Sequence, residues 1–137
     1  MSNEEQFKGR LRTAGERVTT ARLAVFRVIL RYAPLSMPKL LAKTADDSID
    51  PVTVYRTIEL FRKLGLVQEV GLGRNRLLEL GDDYHAHHHH FTCSKCGKIY
   101  DFDSAMVERD LREAGDHLGF TISSHQLEAT GICAACR

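Results

Sequence analysis

The sequence predicts an α+β protein in two parts, a helical N-terminal half and a smaller C-terminal half of strands and one helix. Apolar residues recur at helical spacing through residues 1–82, whereas residues 83–137 contain short strand-like runs. All seven histidines and all four cysteines lie in residues 83–137. Residues 1–82 carry 14 Lys/Arg and 10 Asp/Glu, a net +4, and residues 83–137 carry 5 and 8, a net −3. A basic first part favours a polyanion partner, and an acidic, ligand-rich second part favours cations.

Length and composition exclude several classes of protein. The 137 residues, 43% hydrophobic and 27% charged, suit one compact domain or two small ones rather than a disordered chain. Apolar runs fall far short of the ~18 residues of a membrane span. The polar N-terminus, MSNEEQFKGR, does not resemble an export signal. We therefore expect a cytoplasmic protein with no membrane partner.

Four helices are predicted in the first half, over residues 7–14, 21–32, 37–44 and 51–64. The fourth has the clearest signals, because Asp50 is a good N-cap, Pro51 occupies the first helical position and Gly65 follows the end. Its apolar face consists of Val54, Ile58, Phe61 and Leu64, and its opposite face is polar and basic. A hairpin follows, with strands at 67–70 and 76–80 and a basic turn at 71–75.

Helices followed by a basic hairpin predict a winged helix-turn-helix in residues 1–82. The fourth helix would enter the major groove of DNA, and the hairpin would contact phosphate or the minor groove. The candidate DNA contacts are Thr53, Tyr55, Arg56, Arg74 and Arg76. The alternative is a small helical domain with an ordinary solvated face.

The second half, residues 83–137, is predicted to be a small α/β domain after a linker at 81–83. Its strands are expected at 87–92, 98–102 and 120–130, and its helix at 104–118. The expected inner stripe of that helix is Val107, Leu111, Ala114 and Leu118. Such a small core predicts a need for a metal, a dimer interface or both.

Two CxxC pairs, Cys93/Cys96 and Cys133/Cys136, predict a closed structural zinc site. Two thiolates three residues apart suit neighbouring corners of a tetrahedron, and Gly97 relieves the tight turn. Four thiolates leave no open position for a substrate. The alternative, one redox-active CxxC, leaves the other pair unexplained and lacks a βαβ context.

The tract His87–His90 precedes Cys93 and lies in a predicted strand. Because side chains alternate faces along a strand, His88 and His90 point one way and His87 and His89 the other, so that one tract serves two metal sites. If the knuckle closes a symmetric hairpin, His90 pairs with Asp101. The two predicted donor sets are Glu79, His88, His90 and Asp101, and His87, His89, Glu108 and His125. The alternative is that some of these histidines are merely solvated.

These landmarks together resemble the ferric uptake regulator family of bacterial metal-dependent repressors. They are Asp50–Ile58, Leu78–Leu80, His87–His90, Cys93-x-x-Cys96-Gly-Lys98, Asp101-Phe102, Glu108, His125 and Cys133-x-x-Cys136, in that order along nearly the whole chain. The resemblance implies a homodimer, with an N-terminal winged helix and a C-terminal dimerisation domain, that represses at a palindromic operator when loaded with metal.

The resemblance also implies roles for individual residues. Tyr55 and Arg56 match recognition-helix residues, and the four cysteines match the structural zinc site. Glu79, His88, His90 and Asp101 match the regulatory site at the hinge. His87, His89, Glu108 and His125 match an additional site in the dimerisation domain.

Two departures from the family pattern leave the regulatory metal open. Many iron sensors carry a histidine where this chain reads Pro34-Leu35-Ser36. Glu79 is then the main candidate ligand from the first half, with Asp83, Glu69 or His85 as substitutes. His89 stands where iron members often have Asp, and a four-histidine run occurs in some zinc regulators. We expect Fe²⁺ or Zn²⁺ as corepressor, with Mn²⁺ possible.

Other functions fit the sequence less well. A zinc deaminase would need a Glu that His85-Ala-His87 lacks, and no nucleophile triad or phosphate loop is present, so we expect no enzyme and no small-molecule substrate. A peroxide-sensing Mn/Fe regulator of the same family is the first alternative. A metal buffer that does not bind an operator is the second.

Overall fold

The computed structural model describes residues 1–84 and 87–137, and its contacts divide the chain into two compact units, Met1–Ala86 and His87–Arg137. The sequence predicts this division after residue 82. Unit 1 contains four α-helices and a two-stranded sheet, and unit 2 contains a three-stranded sheet and one helix. The mixed architecture agrees with the predicted α+β class.

Unit 1 contains the four predicted helices, and each begins at a side-chain cap. They are α1 (Asn3–Thr13), α2 (Thr20–Tyr32), α3 (Met37–Ala45) and α4 (Pro51–Lys63). Ser36 caps α3, and Asp50 caps α4 by accepting a hydrogen bond from the Thr53 N–H at 2.9 Å. The predicted caps are therefore confirmed, and α1 begins earlier than expected because Ser2 and Glu5 form a capping box.

Aromatic rings form the centre of the unit 1 core. Phe7 stacks on Phe26 with ring centroids 4.2 Å apart and meets Phe61 edge-on at 5.2 Å. All three side chains are fully buried. Helices α1, α2 and α4 are thus packed together through one apolar cluster.

The hairpin of unit 1 pairs β1 (Val67–Val70) with β2 (Leu77–Leu80) in antiparallel register, with Glu79 opposite Gln68. Leu35 forms an isolated antiparallel bridge with Leu78 on the other side of β2, through hydrogen bonds of 2.8 and 3.1 Å. The segment that lacks the histidine of the family pattern therefore runs beside the strand that carries Glu79.

The predicted linker at 81–83 packs against the helices of unit 1. Asp82–Tyr84 forms a 3₁₀ turn, and Tyr84 is buried with its ring edge-on to Phe26 at 5.4 Å. Gln6 donates a hydrogen bond to the Asp83 carbonyl at 3.1 Å, and Arg10 forms an ion pair with the Asp83 carboxylate. The linker interpretation of 81–83 is therefore wrong, because aromatic burial and an arginine contact anchor the segment to α1 and α2.

Unit 2 is a sheet in the order β4-β3-β5, built from β3 (His89–Cys93), β4 (Ile99–Phe102) and β5 (Glu128–Gly131). β3 pairs antiparallel with β4 and parallel with β5. His90 lies opposite Asp101, which confirms the predicted hairpin register. The last strand is shorter than the predicted 120–130, since only its final residues pair with β3.

Helix α5 (Ala105–His117) of unit 2 buries less than its sequence predicted. Val107 and Leu111 are half-buried, but Ala114 is exposed and Leu118 is 77% exposed. Gly115 is the buried residue of the helix, and a Cβ atom added there would lie only 3.0 Å from the Ile122 Cδ1 atom. The predicted inner stripe is therefore correct only in its N-terminal half.

Candidate metal centres and nucleic-acid interface

The four cysteines form one cluster, hereafter the thiol cluster, at the end of the sheet. The β3–β4 turn carries Cys93 and Cys96, and the C-terminal turn carries Cys133 and Cys136. All four sulfurs lie within 4.8 Å of one another, and the Cys96 and Cys133 sulfurs are 3.8 Å apart. A tetrahedral zinc with Zn–S bonds of about 2.3 Å separates its sulfurs by about 3.8 Å, so the cluster fits Zn²⁺.

The electrostatics of the thiol cluster also favour a cation. The backbone N–H groups of Cys96 and Cys133 lower the pKa of Cys93 to about 6, and the Cys133 N–H lies 3.4 Å from the Cys93 sulfur. The sulfurs of Cys133 and Cys96 raise the pKa of Cys136 to about 12. Backbone donors thus stabilise the Cys93 thiolate. Ionisation of Cys136 beside the other sulfurs is unfavourable until a cation balances the negative charge.

A second donor cluster, hereafter the helix-side cluster, joins His87, His89, Glu108 and His125, whose donor atoms all lie within 4.8 Å. The His89 Nε2 atom is 2.5 Å from Glu108 Oε1, and the His125 Nε2 atom is 3.0 Å from Glu108 Oε2. The Nε2 atoms of His87 and His125 are 3.0 Å apart. Three imidazoles and one carboxylate facing a common point suit zinc, iron or manganese.

The helix-side cluster also changes the acidity of its carboxyl group. Partial burial acts to raise the pKa of Glu108, but hydrogen bonds with His89 and His125 outweigh it and lower that pKa. Glu108 is therefore held as a carboxylate beside three ring nitrogens. This is the protonation state that a metal ligand needs.

His88 and His90 lie on the opposite face of the β3 segment from His89. Their rings have centroids 4.7 Å apart, and their Nε2 atoms lie 3.9 and 3.6 Å from the Asp101 Oδ1 atom. His90 is buried, whereas the Asp101 side chain is 63% exposed. Three of the four predicted regulatory donors are therefore neighbours within unit 2.

The fourth predicted regulatory donor, Glu79, belongs to unit 1, where it is buried and accepts a hydrogen bond from the Gln68 amide at 2.6 Å. Two of its predicted substitutes have cationic partners, since Glu69 pairs with Arg62 and Arg76, and Asp83 pairs with Arg10. The third substitute, His85, lies outside the described residues.

The exposed face of α4 carries the predicted DNA contacts. Tyr55 is 52% exposed and Arg56 is exposed, whereas Thr53 is half-buried and donates a hydrogen bond to the Asp50 carboxylate at 2.7 Å. Val52, which is not among the predicted contacts, is also 57% exposed on this face. Its apolar side chain within a polar surface was the available signal.

The hairpin presents the two predicted basic contacts differently. Arg74 is exposed in the turn. Arg76 is also exposed but pairs with Glu69 at 3.2 Å, and Glu69 is shared with Arg62 at the end of α4. The carboxylate thus links the recognition-helix candidate to the hairpin.

The surface of unit 2 contains large apolar side chains that the unit itself does not cover. They include Phe91, Met106, Leu118, Phe120 and Ile132, which are between 45% and 77% exposed. Separately, no helix in the described parts of the chain is long and apolar enough to cross a membrane.

Comparison with known proteins identifies relatives over nearly the full length. The model of the ferric uptake regulator family matches residues 13–130. The "Ferric uptake regulation protein" of Campylobacter jejuni is 28% identical over 138 residues, covering 96% of this chain and 87% of that protein. The "Peroxide-responsive repressor PerR" of Staphylococcus aureus is also 28% identical, over 93% of this chain and 86% of that protein.

A solved structure agrees with both halves of the fold. The Vibrio cholerae ferric uptake regulator, whose report describes its DNA-binding domains, matches with a TM-score of 0.71 at 27% identity, over 93% of this chain and 99% of that one. The family model covers most of the sequence, and the donor clusters and α4 face described above lie within or beside it. The chain belongs to the ferric uptake regulator family.

Proposed function

We propose that this protein is a metal-responsive transcriptional repressor that binds a palindromic operator as a homodimer and uses Fe²⁺ or Zn²⁺, with Mn²⁺ possible, as corepressor. The observation that carries the proposal is the division of one histidine tract between two faces of the β3 segment. His89 points to Glu108 at 2.5 Å, while His88 and His90 lie beside Asp101. A donor set is thereby available for a signal metal, separate from the thiol cluster that suits structural zinc.

Structural zinc in the thiol cluster would complete unit 2. It would supply charge balance for the thiolates and join the β3–β4 turn to the C-terminal turn. Cys93 and Cys133 are already oriented toward this role by the Cys133 N–H···Sγ contact of 3.4 Å. We assign Cys93, Cys96, Cys133 and Cys136 as its ligands.

The regulatory set that we propose is Glu79, His88, His90 and Asp101, and it draws ligands from both units. A ligand that needs donors from two units binds best when those units adopt one arrangement, and binding increases the population of that arrangement. By linkage, operator DNA that prefers the same arrangement raises the affinity for the regulatory ligand. The two α4 helices of a dimer must be about one turn of DNA apart, or a multiple of it, to read a palindrome.

The dimer would use the uncovered apolar surface of unit 2. Phe91, Leu118 and Phe120 are 49%, 77% and 68% exposed, which is a large solvent exposure for a unit of this size. A second copy of the chain would cover such side chains and pair the two winged helices for a two-fold symmetric operator. Because the operator is genomic, we expect the protein in the cytoplasm, acting as a regulator rather than an enzyme.

Peroxide sensing is a second candidate because the chain is 28% identical both to the peroxide-responsive repressor and to the iron regulator named above. Oxidation of His88 or His90 by peroxide would then release DNA. Mass spectrometry of peroxide-treated, metal-loaded protein distinguishes this from simple metal release. A metal-buffer role predicts cation binding with no operator affinity.

The proposed function is tested by selecting duplexes from a random DNA library with full-length protein, with and without Fe²⁺, Zn²⁺ or Mn²⁺. We expect metal-dependent enrichment of a palindrome. His90→Ala should weaken binding to that palindrome at least tenfold while thiol-bound zinc is retained. The matched control is His117→Ala, an exposed histidine near the end of α5, which should bind like the wild type. Enrichment of no duplex, or equal affinity of the His90 variant, contradicts the proposal.

A further inference from the structure

Val52 occupies the middle of the outward face of α4. Successive residues of an α-helix are about 100° apart, so Val52 lies about 160° from Val54 and about 180° from Phe61. Val54 and Phe61 are fully buried in the core of unit 1. The Val52 side chain therefore projects almost directly away from the body of the unit. Val52 is the second residue of α4, directly after Pro51.

An exposed valine at this position is unfavourable for local stability. Val52 is 57% exposed, so its methyl groups gain little from burial, and a β-branched residue is a weaker helix former than alanine. The surrounding face is polar, with Arg56 one turn later and Glu59 and Lys63 beyond it, all exposed. A residue that is a poor helix former and also exposes an apolar side chain to water is a candidate for a functional contact.

The chemistry of the major groove suggests what this contact is. The N-terminal residues of a recognition helix are the ones that reach base edges. Those edges present hydrogen-bond donors and acceptors and one apolar group, the C5-methyl of thymine. Val52 has no hydrogen-bonding group in its side chain, so the thymine methyl is the base feature that it can recognise. Arg56, one helical turn away on the same face, supplies positive charge for the DNA backbone.

We infer that Val52 is a specificity residue that reads a thymine methyl group in each half-site of the operator. The inference rests on the proposed function, since it assigns a base contact to the same DNA-binding face. It predicts that specificity at one base pair per half-site depends on a methyl group rather than on a hydrogen bond. Tyr55, 52% exposed and three residues later, is the competing apolar residue on this face.

The experiment uses the full-length, metal-loaded protein and the duplex enriched from the random library. Each thymine is replaced in turn by deoxyuridine, which pairs identically but lacks the C5-methyl. For wild-type protein we expect an affinity loss at one symmetric pair of positions of about fourfold per methyl, the factor for burial of one CH₂ group, and about 15-fold for both half-sites. Val52→Ala should bind the thymine duplex more weakly and should show little further loss at those positions.

Two variants make the result specific to Val52. Val52→Ala does not endanger the helix because alanine has the higher helix propensity. Lys63→Ala lies on the same face at the C-terminal end of α4 and should keep the full methyl sensitivity even if its affinity falls. Thermal unfolding of each variant checks that unit 1 remains intact.

The outcomes separate the inference from the proposed function. Wild-type protein that binds the enriched duplex but is indifferent to every deoxyuridine overturns the inference alone. Full methyl sensitivity in Val52→Ala also overturns it, as does a loss of methyl sensitivity that occurs only in a third variant, Tyr55→Ala, made to test the competing residue. Failure to enrich any duplex with any of the three metals contradicts the proposed function and the inference together.

Discussion

The two units of the molecule are stabilised by different means. Unit 1 buries sixteen apolar side chains in one continuous cluster, including Phe7, Phe26 and Phe61. In unit 2, Cys93 is the one apolar residue among those described that is buried to the same degree. Its other buried side chains are polar, namely His89, His90 and Thr92.

This difference shows what each unit requires to fold. Apolar burial of the extent seen in unit 1 is the usual source of stability for a small domain. Unit 2 instead concentrates titratable donors around its sheet and leaves Leu118 and Phe120 more than two-thirds exposed. We therefore expect unit 1 to fold on its own contacts and unit 2 to depend on bound metal and on a partner copy.

The largest predicted effect is the loss of the thiol cluster. Cys96→Ser removes one of four zinc ligands, and structural zinc contributes on the order of 10–16 kcal/mol of apparent binding free energy to small domains. Unit 2 should lose zinc and the hydrogen-exchange protection of β3, β4 and β5, while α1–α4 keep theirs. Ala134→Ser, in the turn between Cys133 and Cys136, keeps all four thiols and should retain zinc. Equal loss of hydrogen-exchange protection in both units would refute the claim that the two units are stabilised by different means.

A core deletion in unit 1 should produce the opposite pattern. Phe61 is fully buried against Phe7, so Phe61→Ala should lower the free energy of unfolding of unit 1 by about 3–5 kcal/mol. Denaturant unfolding followed by helical circular dichroism measures the loss, and zinc content should be unchanged. Phe61→Leu keeps most of the apolar volume and should lose clearly less. A loss of zinc from Phe61→Ala would show that the units are not independent.

A charge-neutral change in the helix-side cluster should have a smaller effect. The Glu108 carboxylate lies 2.5 to 3.2 Å from the imidazoles of His87, His89 and His125. Glu108→Gln removes the anionic ligand and should weaken metal binding there by about 10- to 100-fold, comparable to the loss of a supporting carboxylate at other metal sites. Metal titration by calorimetry measures it. Glu113→Gln on the same helix is the control, and identical titrations for the two variants would argue against a metal role for Glu108.

The smallest predicted effect concerns a surface ion pair of unit 1. Hydrogen bonds from Arg27 and then Lys8 lower the pKa of Glu4 to about 2. Because the folded-state pKa is below the ordinary value, the stabilisation is present above about pH 4.5 and is lost as pH falls toward 2. Glu4→Gln should lower the thermal midpoint slightly at pH 7, since exposed pairs contribute little, and by less at pH 2, where the carboxyl group is partly protonated. The same decrease at both pH values would exclude the ion pair as its cause.

Most of the fold of unit 1 follows from local signals in the sequence. Asp50 and Pro51 fix the start of α4, and the spacing of Val54, Ile58 and Phe61 fixes its buried face. The pairing of His90 with Asp101 was predictable because a CxxC knuckle closes a symmetric hairpin. These features depend on residues close together in the chain.

The features that the sequence did not reveal depend on distant contacts or on what lies outside the monomer. The burial of Tyr84 on Phe26 and the Arg10–Asp83 pair join α1 and α2 to a segment that has the composition of a linker. Leu118 has the helical spacing of the predicted inner stripe of α5, but it is 77% exposed in the single chain. The predicted ligand roles are hypotheses from residue type and position, and the donor clusters of unit 2 support them by proximity.

The most direct test of the account measures operator affinity for one preparation in two metal states. Full-length protein is treated with a chelator until the regulatory metal is removed. Elemental analysis must then show that one zinc per chain, bound by the four thiols, is retained. We expect the affinity for the selected palindrome to fall at least tenfold and to return when Fe²⁺ or Zn²⁺ is added back. Equal affinity with and without the regulatory metal, at constant thiol-bound zinc, would contradict it.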